Sequence, residues 1–245
     1  MTTPSAFNER LAQRRAAFLA RLGTVSEQVV SRQHPLGGEA WPASVLGRMR
    51  IVRRPETRLL VTDGLSSPFD PELHPHPPPG PLDFELAVDV PSDDPCGQSD
   101  AALAQSWLPS LLYALTDWIV PEYLDLRGLL EDFRAVTLAA PATTGAARAL
   151  AGPDGLVGVL IGLPLVGQDL DRHPYLNGYY QGSGTPYADA ALGFFPVKPL
   201  TPDEYAWAKA QGDRGGVLLA QKFMARGDAH RVFSDRPSVL EVPTF

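Results

Sequence analysis

The sequence predicts an α+β fold in which a mostly antiparallel central sheet is flanked by helices. Three observations support this prediction. Residues 83–91 alternate between two sets of side chains with the period of a strand. Residues 106–120 place large apolar side chains at helical spacing. Residues 201–212 begin with Thr-Pro-Asp-Glu, a pattern typical of a helix N-terminus, and end at a glycine. We therefore expect helices at 107–120 and 202–211 to pack on the sheet.

The segment at 83–91 is the clearest strand in the chain. Its apolar positions share one face and its remaining positions share the other: Phe84, Leu86, Val88 and Val90 against Glu85, Ala87 and Asp89. This alternation is typical of an antiparallel strand with one face on the core. We expect the face that carries the two carboxylates to be half solvated.

The helix predicted at 107–120 has a broad apolar face that we expect in the core. Pro109 fits its first turn, so the helix should begin near Trp107. The residues of this face are Trp107, Leu108, Leu111, Leu112, Leu115, Trp118 and Ile119.

The other elements are predicted from shorter patterns. Residues 5–22 read as a helix that stops at Gly23. Residues 44–54 and 57–63 lie close enough in sequence to form a hairpin. Residues 156–165 are almost wholly apolar, which predicts a central strand. Further patterns predict strands at 134–140 and 191–200, a helix at 215–227 and strand-like segments within 231–240.

Composition and charge narrow the classes of function. The 245 residues are 44% hydrophobic and 20% charged, which is typical of a globular protein able to bury a sizeable core. The net charge of −7 disfavours a nucleic-acid partner and would suit a basic protein partner. Cys96 is the single cysteine, so an internal disulfide cannot form. No apolar leader and no membrane-length apolar run is visible, and we therefore expect a cytoplasmic protein without membrane contact.

The stretch "LLVTDGLSSPFD" at 59–70 raises the question of a nucleophilic serine after a strand. The Gly-x-Ser-x-Gly frame of a hydrolase nucleophile is missing. Asp63 and Gly64 are better interpreted as a tight structural turn that closes the strand, with Gly64 at positive φ. Leu65 would pack beneath this turn.

Candidate metal-binding and catalytic residues are scattered. His74 and His76 lack further ligands at a recognised spacing, and Asp93, Asp94 and Asp100 lack the spacing of a calcium loop. We therefore predict no metal, no cofactor and no catalytic residue. The alternative is a hydrolase or metal-dependent enzyme in which His173 works with Asp169 or Asp171.

The long segment at 169–190 is the candidate partner-binding region. It is rich in glycine and is too long for a simple turn. Tyrosine is favoured at interfaces because it combines a large contact area with a polar group. A loop that packs on itself is the alternative. The predicted partner-binding residues are Tyr175, Tyr179, Tyr180 and Tyr187.

Several segments, taken in order, resemble the suppressor of fused (SUFU) domain family. "VTDGLS" at 61–66 resembles its turn, "DFELAVDVP" its Phe-Glu-Leu strand and "SWLPSLLYAL" its Trp-containing helix. "GFFPVKPLTPDEYAWAKAQG" with "VLLAQ" resembles its late strand, helix and leucine-rich turn, and "VFSDRPSVLE" its Asp-Arg end segment. The match extends over about residues 45–242, and the short chain resembles the bacterial single-domain form.

The resemblance implies a function as well as a fold. It implies an α+β scaffold that binds a protein or peptide partner and does not catalyse a reaction; the animal members of the family grip a short peptide partly by strand pairing. For the bacterial form it implies an immunity or antitoxin-like protein that neutralises a partner such as a toxin. Residues 1–44 would then form an N-terminal helix and extension, and residues 45–245 one compact suppressor of fused-like domain. A purely structural subunit is a third possibility, which would show a self-complementary apolar surface.

Overall fold

The computed structural model describes residues 4–32, 41–42, 47–67, 69–70, 72–74, 82, 84–163, 173–174, 191–227 and 230–240. The helices in this part of the chain are α1 (Pro4–Leu22), α2 (Asp100–Gln105), α3 (Leu108–Ile119), α4 (Leu126–Phe133), α5 (Gly145–Arg148), α6 (Pro202–Ala210) and α7 (Gly215–Arg226). The strands are β1 (Thr24–Ser31), β2 (Arg48–Arg53), β3 (Thr57–Thr62), β4 (Phe84–Pro91), β5 (Val136–Pro141), β6 (Leu156–Ile161), β7 (His173–Pro174) and β8 (Ala191–Pro199).

One mixed sheet organises the molecule. Its strand order is β1-β2-β3-β4-β8-β6-β5, and β7 pairs with one end of β8. All of these pairs are antiparallel except β4–β8, which is parallel. The predicted α+β class with a mostly antiparallel central sheet is confirmed.

Strand β8 changes its neighbour along its length. Its first two residues pair with β7, residues 193–196 pair with β4, and residues 197–199 pair with β6. The β1–β4 half of the sheet and the β5–β6 half are therefore held together through this one strand.

Helices cover both faces of the sheet. Val159 and Leu160 are neighbours on β6 but belong to two different apolar clusters, because successive residues of a strand point to opposite faces. The larger cluster contains α3, and the smaller contains α6 and α7. Helix α1 lies on the face opposite the larger cluster, where Phe18 stacks on Phe194 with the ring centres 4.7 Å apart.

The prediction of a half-solvated face on β4 is wrong. Every residue of β4 is buried, including Glu85 and Asp89. The reason is that α1 and the segment around His230 cover the second face and supply polar partners: Arg15 lies 3.7 Å from Glu85, and His230 lies 2.8 Å from Asp89.

The structure confirms the predicted α1, the β2–β3 hairpin, α3, α6 and α7. The prediction that Trp118 lies in the core is wrong, because this residue is exposed at the end of α3. Residues 231–240 were expected to be strand-like, but they make only an isolated parallel bridge between Arg231 and Asp89. Strand β1 and helices α2 and α4 were not predicted.

None of the helices in the described part of the chain has the length and hydropathy of a membrane span.

Candidate functional site

Strand β1 is one of the two edges of the sheet. Only β2 pairs with it among the residues that the structure describes. Its register with β2 moves from Val25–Val52 to Val29–Arg50, so a bulge separates the two ends of the strand. Bulges commonly protect an edge from unwanted pairing. The regular part of this edge is therefore the short run 29–31.

The backbone polar groups of Val29 and Ser31 point away from β2. On the β3 side, the Arg48 carbonyl accepts a hydrogen bond from the Asp63 N–H at 2.9 Å. The backbone groups of Arg48 therefore face β3 and point away from β1. Ser31 is opposite Arg48 in the register, so these two residues form a non-hydrogen-bonded pair, and the backbone groups of Ser31 face outward. Hydrogen-bonded pairs alternate along an antiparallel ladder, and the same therefore holds for Val29. Both residues are exposed, so their outward N–H and C=O groups can meet another strand.

A groove of about 530 Å³ adjoins this end of β1. Val30, Ser31 and Arg32 form one wall, and the other walls come from the C-terminal end of α2, the start of α3 and the residues before α5. Most of the polar side chains are uncharged; they include Gln105, Ser106, Ser110, Thr143 and Thr144.

Two side chains of the groove are fixed by hydrogen bonds. The Arg32 guanidinium donates to both oxygens of Asp117, at 2.6 Å for the Nη1–Oδ1 pair, and this bond raises the pKa of Arg32. The Tyr113 hydroxyl lies 3.2 Å from the carbonyls of Val30 and Gly47. Burial raises the pKa of Tyr113 to about 12, so the phenol stays protonated and donates. The groove therefore has a fixed shape and one internally paired charge, which suits an extended peptide backbone.

The turn that follows β3 has a structural role. The N–H groups of Gly64, Leu65 and Ser66 donate to the Glu85 carboxylate at 3.1, 3.2 and 3.1 Å. The hydroxyls of Ser66 and Thr62 also donate to it, at 2.6 and 2.7 Å. Gly64 has a φ of +134°, a conformation that favours glycine. Leu65 is buried in the larger cluster. Since Ser66 is fully buried and bonded to Glu85, it is not placed to attack a substrate.

Three arginines surround Asp63 in the same turn. Arg15 from α1 approaches one carboxylate oxygen at 3.1 Å, while Arg48 and Arg50 from β2 approach the other at 3.0 and 3.1 Å. Burial alone would raise the pKa of Asp63, but the three guanidinium groups lower it. The turn therefore ties α1 to β2 and β4.

The predicted partner-binding tyrosines, Tyr175, Tyr179, Tyr180 and Tyr187, lie outside the described residues, as do Asp169 and Asp171. The backbone of His173 pairs with Leu192 of β8. The tyrosine loop and the His173 enzyme both stay predictions.

The described residues that were considered as metal ligands lie apart from one another and pack on or hydrogen-bond to other side chains. His74 is buried edge-on against Phe69, with ring centres 4.8 Å apart, and His76 lies outside the described residues. Asp94 accepts hydrogen bonds from Cys96 and Ser234. Within the described part of the chain, no three His, Cys, Asp or Glu side chains are grouped as metal ligands would be.

Sequence reasoning missed the edge strand β1. Its bulge breaks the alternation, because Ser26 is buried while Val29 is exposed. The remaining signal is composition: "TVSEQVVS" is rich in β-branched residues, which favour strands.

No family model, no curated protein and no solved structure matches this chain in the comparisons made.

Proposed function

We propose that this protein binds a segment of a partner protein in extended conformation and thereby neutralises that partner, in the manner of an immunity or antitoxin-like protein. The segment adds to the edge of β1 at residues 29–31 and lays its side chains into the adjoining groove. No catalytic step is part of this function.

One observation carries the proposal. The outward backbone groups of Val29 and Ser31 lie beside a groove of about 530 Å³ whose polar lining is mostly uncharged. In strand addition, the main chain of the bound peptide supplies affinity and pockets beside the edge select alternate side chains. The edge and the groove are adjacent because Val30 belongs to both.

Charge supports a basic partner. The chain carries a net charge of −7, and Glu27 is exposed on β1 itself. Opposite net charges accelerate association, and this acceleration decreases as salt screens the charges. We therefore expect capture of the partner to be faster at low ionic strength.

The experiment compares Ser31→Pro with Ser31→Ala. Proline at residue 31 removes the outward N–H, whereas the ladder to β2 does not use that group. Each variant is used to capture proteins from native lysate of the source organism, and the captured protein is identified and titrated. We expect Ser31→Ala to retain the wild-type partner and Ser31→Pro to lose it, with circular dichroism showing both variants folded.

A second pair of substitutions separates the two candidate surfaces. If Tyr179→Ala with Tyr180→Ala abolishes capture and Ser31→Pro leaves it unchanged, the partner binds the 169–190 segment and the proposal for β1 is wrong. Turnover of an ester or phosphoester that disappears in His173→Ala would instead establish the enzyme alternative.

A further inference from the structure

A second cavity lies on the opposite face of the sheet from the larger core, at the end of β4. Its volume is about 290 Å³, at the low end for small-molecule sites. The turn between β2 and β3 forms one side, with Arg54, Glu56 and Thr57, and the segment at 230–231 forms the other. The Val232 N–H donates to the Asp89 carbonyl at 2.8 Å, which fixes this segment beside β4.

Asp89 is almost completely buried here, with 2% of its surface exposed. Two side chains of the described residues bind the same oxygen of its carboxylate: His230 Nε2 lies 2.8 Å from Oδ2, and Arg54 Nη1 lies 3.2 Å from it. A carboxylate oxygen accepts hydrogen bonds, so in this arrangement His230 Nε2 and Arg54 Nη1 are the donors to Oδ2. One oxygen of the carboxylate is therefore fully engaged.

The other oxygen of Asp89 has no hydrogen-bond partner among the described residues. The Thr57 hydroxyl, on a residue that is 3% exposed, likewise has none. Buried polar atoms are nearly always paired in native proteins, and an unpaired carboxylate oxygen is especially unfavourable. Both residues line the cavity, but the two unpaired oxygens are themselves buried in its wall, so a ligand that supplies N–H donors reaches them once the neighbouring side chains shift.

The rim of the cavity offers positive charge to an anion. Arg231 contacts Glu56 at 3.2 Å, but both side chains are solvated, at 37% and 78% exposure. Exposed ion pairs of this kind contribute little, so Arg231 can exchange Glu56 for a ligand carboxylate at small cost. Arg54, which also lines the cavity, lies next to Asp89. The cationic and anionic sides of the cavity therefore adjoin.

We propose that this cavity binds a free α-amino acid. Its ammonium group donates to Asp89 Oδ1 and Thr57 Oγ1, and its carboxylate accepts from Arg54 and Arg231. The charges of the lining balance, with two arginines against Asp89 and Glu56, which matches a ligand of zero net charge. The ammonium and carboxylate of an α-amino acid are separated by a single carbon, which fits a cavity where Asp89 and Arg54 are in direct contact.

The test uses each proteinogenic L-amino acid singly at millimolar concentration, first in thermal unfolding and then in isothermal titration of any that stabilises. Ethylamine and acetate serve as probes that carry one of the two charges. We expect at least one amino acid to raise the melting temperature and to give a saturable isotherm, while ethylamine and acetate bind at least tenfold more weakly.

Three variants make the result specific. Thr57→Val keeps the shape of the side chain and removes its hydroxyl, and it should weaken binding about tenfold because a hydrogen bond to a charged group is lost. Asp89→Asn should weaken it further. Asp117→Asn, a carboxylate paired with Arg32 in the groove near β1, is the control and should bind as the wild type does. The proposal is overturned if no amino acid stabilises the protein, or if a folded Thr57→Val binds with wild-type affinity.

Discussion

Glu85 and Glu204 are both fully buried carboxylates on the same face of the sheet, yet their environments differ. Glu204, on α6, receives both Nη atoms of Arg236 at 2.6 Å and the N–H groups of Val239 and Thr201 at 2.7 and 3.0 Å. Glu85, on β4, receives only neutral donors from the turn after β3, and its cation Arg15 stays 3.7 Å away. Glu204 is therefore stabilised by a direct ion pair, and Glu85 by hydrogen bonds from the uncharged N–H and O–H groups of the turn.

The pKa of each carboxylate reflects this difference. Burial raises the pKa of Glu85, and neither the charge of Arg15 nor the hydroxyl donors of the turn overcome that effect. Burial would also raise the pKa of Glu204, but the hydrogen bonds and charge of Arg236, together with the backbone donors, lower it. A direct guanidinium pair therefore compensates burial more fully than neutral donors do.

The largest expected difference between the two sites comes from removing the cation. Arg236→Ala leaves Glu204 charged and buried, and we expect the free energy of unfolding to fall by about 3–5 kcal/mol. Arg15→Ala should cost less, about 1–3 kcal/mol, because the turn still binds Glu85 and two arginines still bind Asp63. Urea unfolding measures both. The comparison fails if Arg15→Ala is the more destabilising of the two.

Arg226→Ala is a matched control for Arg236→Ala. Arg226 also donates to the C-terminal segment, at 2.9 Å to the Pro237 carbonyl, but Arg226 is only half-buried and this hydrogen bond is open to solvent. We expect its loss to change the free energy of unfolding by less than about 1 kcal/mol, since exposed contacts contribute little.

A smaller loss of stability tests whether the hydrogen bonds from residues 64–66 to Glu85 depend on the backbone conformation of Gly64. An added methyl group would come no closer than 3.7 Å to Trp41, so space is available, but the φ of +134° is strained for alanine. We expect Gly64→Ala to lower the free energy of unfolding by about 2 kcal/mol. Gly212→Ala is the control, because its φ is +61° and nothing lies near its added methyl group; about 1 kcal/mol is expected there. The two variants are compared by thermal unfolding. If they lose the same stability, the hydrogen bonds to Glu85 do not depend on the conformation of Gly64.

The smallest effect is the pH dependence of stability, and its sign differs between the sites. The lowered pKa of Glu204 stabilises the fold above its unfolded value near 4.5, and this stabilisation is lost as the pH falls. The raised pKa of Glu85 acts oppositely: its favourable contribution is complete below that value and disappears as the pH rises through the folded-state pKa.

Urea unfolding across a series of pH values separates the two contributions. Glu204→Gln should flatten the acid side of the stability profile, and Glu85→Gln should flatten a decline above pH 4.5. Asp63, Asp100 and Asp203, whose pKa values are also lowered, are unchanged in both variants. Profiles that change with the same sign would contradict the comparison.

The same two carboxylates show what local patterns can and cannot predict. Helices α1, α3, α6 and α7 were predictable because their signals, apolar spacing and terminal Pro or Gly, lie within each segment. The burial of Glu85 was not, since it depends on Arg15 and on a turn far from it in sequence. The Asp89 cavity needs His230, 141 positions away, and could not be foreseen either. Edge strand β1, which carries the proposed partner site, was hidden by its bulge.

The parallel pairing of β4 with β8 has a consequence for the order of folding. The partner of Phe84 is Gly193, which is synthesised more than a hundred residues later, whereas β1 to β4 form antiparallel pairs with their neighbours in sequence. On the ribosome, β1 to β4 can pair early, but the second edge of β4 stays unpaired until β8 has been synthesised. An unpaired apolar edge is where nascent chains associate with one another. The fully buried strand β4 therefore has an unpaired edge during synthesis until β8 has been made.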